Sequence, residues 1–203
     1  MIGAESCTFA TRSMSEPIHR LFFALRPDAA AAGEIESAAA AIKASGRLLG
    51  RWVQPSKHHL TVHFLGNHAG RPESLIERAS VAAAQVRLAP FEIVLDRVET
   101  FGARRQSPCV LRCTPQSDRL LEALRAALGG VLADAGLARW LEKRFTPHVT
   151  IAYVEGTLSE PIAIPATAWN VQDFALVESH GAAAQHEVLA QWPLRDSGDR
   201  AAC

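Results

Sequence analysis

An internal repeat constrains this chain more than any other feature of its sequence. Pro27 and Pro115 each follow an apolar run and precede a helical pattern, 88 residues apart. Arg51-Trp52 and Arg139-Trp140 each follow a helix that stops at glycine, and they too lie 88 residues apart. His59-Leu60-Thr61-Val62 and His148-Val149-Thr150-Ile151 come next, at an offset of 89. The order strand, proline, helix, glycine, Arg-Trp, His-x-Thr-x therefore occurs twice. One H-x-T-x tetrapeptide says nothing. Two of them, at matching places in a duplicated unit, imply two equivalent sites related by an approximate two-fold axis.

The hydrophobic periods around the repeat give the elements. Residues 20–25 are a short apolar run closed by Arg26-Pro27-Asp28, which predicts a buried strand and then a helix start. Residues 28–45 are Ala-rich, carry Ile35 and Ile42, and stop at Gly46, which predicts a helix. Strands are expected at 59–65 (bounded by Gly66-Asn67), 91–98, 109–113, 148–154, 171–178 and 187–192, and helices at 72–88 and 118–135. Several strands follow one another directly, so the expected class is α+β rather than a doubly wound parallel sheet. The expected architecture is bilobal. The repeat predicts two pseudo-symmetric lobes with a cleft between them. One domain is expected over residues 17–195, with repeat units at about 19–100 and 108–192. Residues 1–16 and 196–203 are small, polar and aperiodic, and are expected to be disordered tails; Met1 and Met14 are both possible starts.

Composition removes several function classes. At 203 residues the chain can bury a real core, and 48% hydrophobic with 21% charged residues is an ordinary globular balance. Lys plus Arg and Asp plus Glu are 21 each, so bulk charge does not hold this protein on duplex nucleic acid. Only Lys43, Lys57 and Lys143 among those cations are Lys, an Arg/Ala bias read as codon usage. No apolar run reaches the ~20 residues of a membrane span, and the N-terminus does not read as a secretory signal. Cys7, Cys109, Cys113 and Cys203 form no disulfide framework. A reducing cytoplasm, no membrane partner and a monomer are expected.

On a strand, residues i and i+2 share a face. By that parity His59 and Thr61 share one, with Leu60, Val62 and Phe64 on the other. His148, Thr150 and Ala152 share one, with Val149, Ile151 and Tyr153 opposite. Two opposed imidazoles suit general acid–base catalysis near neutral pH. One takes a proton from water while the other gives one to a leaving alkoxide. Two threonine hydroxyls can donate to the non-bridging oxygens of a tetrahedral anion. The reaction this fits is hydrolysis of a phosphodiester, a strained cyclic phosphate most readily of all. No metal or other cofactor is expected. His59, His63 and His148 are enough imidazoles for zinc, but no H-E-x-x-H, C-x-x-C or nearby acidic ligand accompanies them.

The segments RLFFALRPD (20–28), HLTVHFLGN (59–67), ETFG (99–102), PCVLRC (108–113) and RFTPHVTIAY (144–153) resemble the two-histidine phosphoesterase superfamily, within it the RNA 2′,3′-cyclic phosphodiesterases or 2′-5′ RNA ligase-like proteins. The resemblance implies the bilobal α+β fold, with an antiparallel sheet and helices in each lobe and the active-site cleft between them. It implies His59 as the general acid that protonates the leaving 3′-oxygen and His148 as the general base that activates water, with Thr61 and Thr150 binding phosphate. It implies RNA ends or cyclic nucleotides as substrates and a 2′-phosphate product. Other reactions of the superfamily remain open, namely hydrolysis of an ADP-ribose cyclic phosphate and 2′-5′ joining of RNA ends. A non-catalytic RNA- or nucleotide-binding module is the alternative from another class. Close relatives often carry Arg where Tyr153 stands, so Arg144 is a second candidate for an anion contact.

Other residues are weighed singly. His63, on the parity of His59, is read as a buried structural histidine or a partner behind the motif, and His58 as exposed. Phe22 or Phe23 could stack on a base or belong to the core. Trp52 and Trp140 are read as packing residues, and Arg104-Arg105 as a loop that could touch RNA. No P-loop and no G-x-S-x-G elbow are present.

Overall fold

The structure, a computed structural model, describes residues 18–102, 106–180 and 185–196. The expected tails before residue 18 and beyond Asp196, with Cys7, Met14 and Cys203, lie outside the described residues, as do Arg104 and Arg105.

The strands are β1 (Ile18–Leu25), β2 (Gly50–Trp52), β3 (Leu60–Ala69), β4 (Phe91–Thr100), β5 (Ser107–Cys113), β6 (His148–Val154), β7 (Ile162–Val171), β8 (Asp173–His180) and β9 (Gln185–Pro193). The helices are α1 (Ala29–Ala44), α2 (Glu73–Ala83) and α3 (Pro115–Asp134). Short 3₁₀ turns occupy Pro55–Lys57 and Ala138–Trp140. Asp28 caps α1 by accepting the Ala31 N–H at 2.8 Å, and Thr114 caps α3 by accepting that of Ser117 at 3.3 Å. The two prolines of the repeat thus sit at equivalent strand-to-helix junctions.

The α+β class and the two antiparallel halves are as expected, and a single pairing joins the halves into one continuous sheet. Its order is β7-β4-β5-β6-β3-β1-β8-β9, with β2 also paired to β6. The two four-stranded halves meet where Leu60 of β3 pairs antiparallel with Val149 of β6. The repeat units also exchange strands. β4, from the end of the first unit, pairs with β5, while β8, from the second, pairs with β1. Helix α1 packs against β7, across the boundary. Each Arg-Trp pair crosses as well. Trp52 pairs on β6 opposite Ala152, and the Trp140 ring lies over Gly66 of β3. Both tryptophans are packing residues on the main core, as the sequence suggested.

The sequence reading missed β7, an edge strand that carries Pro165, and it ended β3 too early at Gly66-Asn67. Edge strands tolerate proline because one row of their N–H groups needs no partner. Gly66 holds φ +103°, which a residue without a Cβ adopts freely, and the Trp140 ring leaves no room there for a Cβ.

Leu21, Phe23 and Leu25 of β1 and Cys109, Leu111 and Cys113 of β5 bury into one core, which α3 covers with Leu121, Leu124, Leu128 and Leu132. The other sheet face carries a smaller cluster, Phe22, Ala24, Ala175 and Val177, with Phe64 and Val188 against it. Cys109 and Cys113 are buried free thiols, pushed up to about 11 and about 12 by burial. Among the described residues, no helix is long and apolar enough to cross a membrane.

Candidate active site

The pairing of Leu60 with Val149 builds the site. Both side chains are fully buried in the main core. Their neighbours along each strand point the other way, and antiparallel register sets His59 opposite Thr150 and Thr61 opposite His148. Two imidazoles and two hydroxyls alternate on one patch of one face.

Both motif strands then carry one extra residue. Ala24 and Phe23 of β1 face Thr61 and His63, leaving Val62 as a bulge. Val110 and Cys109 of β5 face Thr150 and Ala152, leaving Ile151 as a bulge. Leu60–Leu65 and Val149–Val154 consequently share one burial pattern, in which two successive inward residues follow the threonine. The strict alternation expected from sequence fails at this point. His63 does not share the face of His59 and Thr61: it turns toward α3, where it is 4% exposed and Nε2 donates to the Arg125 carbonyl at 2.9 Å. This buried, hydrogen-bonded placement supports its structural reading. Phe64 and Tyr153, expected on the far face, return to the face of the histidines. Tyr153 lies away from the main pocket, with the Arg51 guanidinium 4.9 Å over its ring.

The two histidines are held alike. His59 Nδ1 lies 2.7 Å from the Lys57 carbonyl, and His148 Nδ1 lies 2.7 Å from the Thr146 carbonyl. A carbonyl only accepts, so Nδ1 carries the proton in each neutral ring and Nε2 is left free. Burial lowers both pKa values, and each carbonyl opposes the shift. His148, His58 and Arg26 lower His59 further, and Arg112 lowers His148. Aromatic rings fix both imidazoles. Phe22 stacks on His59 at 5.0 Å, and Phe101 meets His148 edge-on at 5.1 Å. Phe22 is 5% exposed, so its visible work is to back His59, while Phe23 is core.

A pocket of about 380 Å³ is lined by Thr61, Phe64, Phe101, Arg125, Arg144 and His148, among others. The expected Arg144 is there and is exposed. His59 instead borders a separate cavity of about 30 Å³ with Phe22, Arg26, His58 and His186. Thr150 lines neither.

Several neighbours escaped the sequence reading. His186 of β9 meets His59 edge-on at 5.0 Å, and burial, with His59, Lys57 and Arg26 nearby, lowers it to about 4. It lies outside both repeat motifs, and no local signal marks it. Arg112 faces His148 across β5 and β6 and pairs with Glu99 at 3.2 Å and Asp118 at 3.4 Å. Arg125 lies 5.0 Å over the Phe145 ring. His58, expected to be exposed, is 4% exposed. Burial lowers its pKa, against the Glu36 charge and the Val53 carbonyl. The turn at Pro55–Lys57 folds it inward immediately before the strand.

A duplicated antiparallel fold with paired His-x-Thr strands defines a two-histidine phosphoesterase architecture. The family model of the 2′-5′ RNA ligase superfamily matches residues 27–183, and the chain belongs to this family. An RNA 2′,3′-cyclic phosphodiesterase of Bacillus subtilis (strain 168) is 32% identical over 105 residues, which cover 50% of this chain and 54% of that protein. One of Geobacillus stearothermophilus is 28% identical over 160 residues, 73% of this chain and 49% of that protein. The chain thus spans about half the length of these curated relatives. Among solved structures, E. coli LigT in apo form superposes with a TM-score of 0.66 at 26% identity, covering 90% of this chain and 100% of LigT. A protein of Thermus thermophilus gives 0.65 at 28%, covering 88% and 99%. LigT complexed with 3′-AMP gives 0.62 at 26%, covering 89% and 99%.

Proposed function

We propose that this protein hydrolyses RNA 2′,3′-cyclic phosphate ends to 2′-phosphate ends by acid–base catalysis between His59 and His148. The observation that carries the reading is the matched pair of Nδ1-to-carbonyl bonds, which leaves an Nε2 free on both rings. His148 Nε2 accepts a proton from water as the water oxygen bonds to phosphorus. The bond from phosphorus to O3′ breaks, and His59, protonated at Nε2, gives O3′ its proton. Thr61 and Thr150 donate to the non-bridging oxygens, whose charge grows in the transition state. Arg144 and Arg125 offer charge to the neighbouring RNA backbone, and Phe64 and Phe101 offer apolar walls to a nucleoside. The names of the Bacillus subtilis and Geobacillus stearothermophilus relatives support the substrate class. The allotment of acid and base rests on family resemblance, since the site is nearly symmetric in them.

The test is turnover of oligonucleotides ending in 2′,3′-cyclic phosphate, with the phosphate position read in the product. A 2′-phosphate is expected. A 3′-phosphate would exchange the roles of the oxygens. Binding without turnover would make the protein a binding module. Joined 2′-5′ ends, or turnover confined to ADP-ribose 1″,2″-cyclic phosphate, would move the activity within the superfamily.

A further inference from the structure

We propose that Glu178, His180 and Glu187 bind a divalent transition-metal ion, Zn²⁺ or Mn²⁺, on the sheet face away from the two motif histidines. Glu178 and His180 alternate along β8 with Phe174 and Leu176, which bury in the main core. The intervening Ala175 and Val177 pack with Phe22 on the face of His59. Register sets Glu187 of β9 directly opposite Glu178. Three ligating side chains from two paired strands therefore project from one face.

Their spacing is compatible with a shared metal ion. One ligand atom from each of the three lies within 4.8 Å of the other two. His180 Nε2 and Glu187 Oε2 stand 3.5 Å apart, too far for a strong hydrogen bond. Two ligands at ~2.1 Å from a tetrahedral ion stand ~3.4 Å apart.

Glu178 supplies the independent observation. It is 1% exposed, in a place where a carboxylate normally has every lone pair satisfied. Oε1 is held by His19 Nδ1 at 2.7 Å. Oε2 is buried and accepts no hydrogen bond from the described residues. The Arg71 guanidinium stands 3.6 Å from it. Arg71 also pairs with Glu73 at 3.2 Å and is 41% exposed, so it can yield to an ion. His19 would then orient the ligating carboxylate from behind, as an outer partner of a metal site does. Two carboxylates neutralise a divalent ion and suit Mn²⁺, and the imidazole favours Zn²⁺ over Ca²⁺ or Mg²⁺. Such an ion would tie β8 to β9 and supply no chemistry to the cleft.

The experiment is isothermal titration of the full chain, stripped with EDTA and desalted, with ZnCl₂ and separately with MnCl₂. One ion per chain is expected. His180→Ala and Glu187→Gln, both at accessible positions, should each weaken binding about tenfold or more. They should also abolish the metal-dependent rise in Tm that preferential binding to the folded state produces. Absence of saturable binding at millimolar metal would overturn the proposal. So would one-to-one binding that survives both substitutions, or binding lost in His148→Ala instead.

Discussion

Val62 and Ile151 are each the extra residue of a β-bulge, and they stand at the same position of the two repeats. The bulge follows the threonine immediately and turns two successive residues inward, Val62-His63 in one strand and Ile151-Ala152 in the other. It ends the polar patch after one His and one Thr per strand. Beyond it, Phe64 and Tyr153 return to that face as aromatic rims. The duplicated motif is therefore a local backbone shape as well as a set of side chains.

His59→Ala and His148→Ala should each lower kcat by roughly 10²–10⁴-fold, the usual share of one positioned proton-transfer group. Thr61→Ala and Thr150→Ala should cost about 10–10³-fold, because each removes one donor to a developing anion. The double histidine variant should lose far less than the product of the single losses, since the pair acts as a unit. Single-turnover assays on a cyclic-phosphate oligonucleotide would measure all five. Near-normal kcat in either single histidine variant would exclude the proton-transfer pair.

One histidine must be neutral and the other protonated, so the pH–rate profile should be bell-shaped, with apparent pKa values that belong to the pair. Burial lowers both rings in the free protein, which sets the kcat/KM profile below the ordinary imidazole range. A bound phosphodiester anion favours both charged rings and raises both values. The kcat profile should accordingly lie at higher pH than the kcat/KM profile. Coincident profiles, or a kcat profile on the acid side, would contradict this electrostatic account.

Most of the candidate site was legible because the repeat marked it twice. His59, Thr61, His148 and Thr150 could be found from spacing alone, and Leu60 and Val149 supplied the apolar backing. Orientation past the bulge was not legible. Alternation extends a strand with period two, and one added residue inverts every side chain beyond it. That one cause misdirected His63, Phe64 and Tyr153. The strand exchange between β4 and β8 was equally hidden, because local patterning does not specify partners. His186 was missed for the same reason, since only the β8–β9 hairpin brings it to His59.

Acid should destabilise the fold through its buried imidazoles. Burial holds His58, His59, His63 and His148 below the ordinary 6.5, and His186 down to about 4. Between the folded and unfolded values the unfolded chain binds more protons, so stability rises with pH there and is lost as pH falls from 6.5 toward 4. The urea midpoint should be lower at about pH 5 than at about pH 7.5, and His186→Phe should flatten that slope. A midpoint independent of pH over this range would show that the rings pay no penalty for charging.

His63 should behave as a structural residue. His63→Ala leaves the Arg125 carbonyl without its side-chain donor and opens space beside Gly129. A loss of about 0.5–1.5 kcal/mol is expected from the hydrogen bond alone. His63→Gln keeps an N–H donor and should recover part of that loss. Equal stability of the alanine and glutamine variants would remove the hydrogen bond from the account.

Gly66 and Trp140 should be energetically coupled. Gly66 sits at φ +103°, and an added Cβ would fall 2.5 Å from Trp140 Cζ3. Gly66→Ala therefore meets two separate penalties, backbone strain and displacement of a packed ring. Together they should cost about 2–4 kcal/mol. For a chain of this size that lowers Tm by roughly 4–15 °C. Trp140→Ala removes the ring and with it the second penalty. Gly66→Ala should consequently cost clearly less in the Trp140→Ala background than in the native one, a coupling that denaturant titration of the four proteins can resolve. An equal cost in both backgrounds would place the whole effect in the backbone and leave the tryptophan no part in holding the two halves of the sheet together.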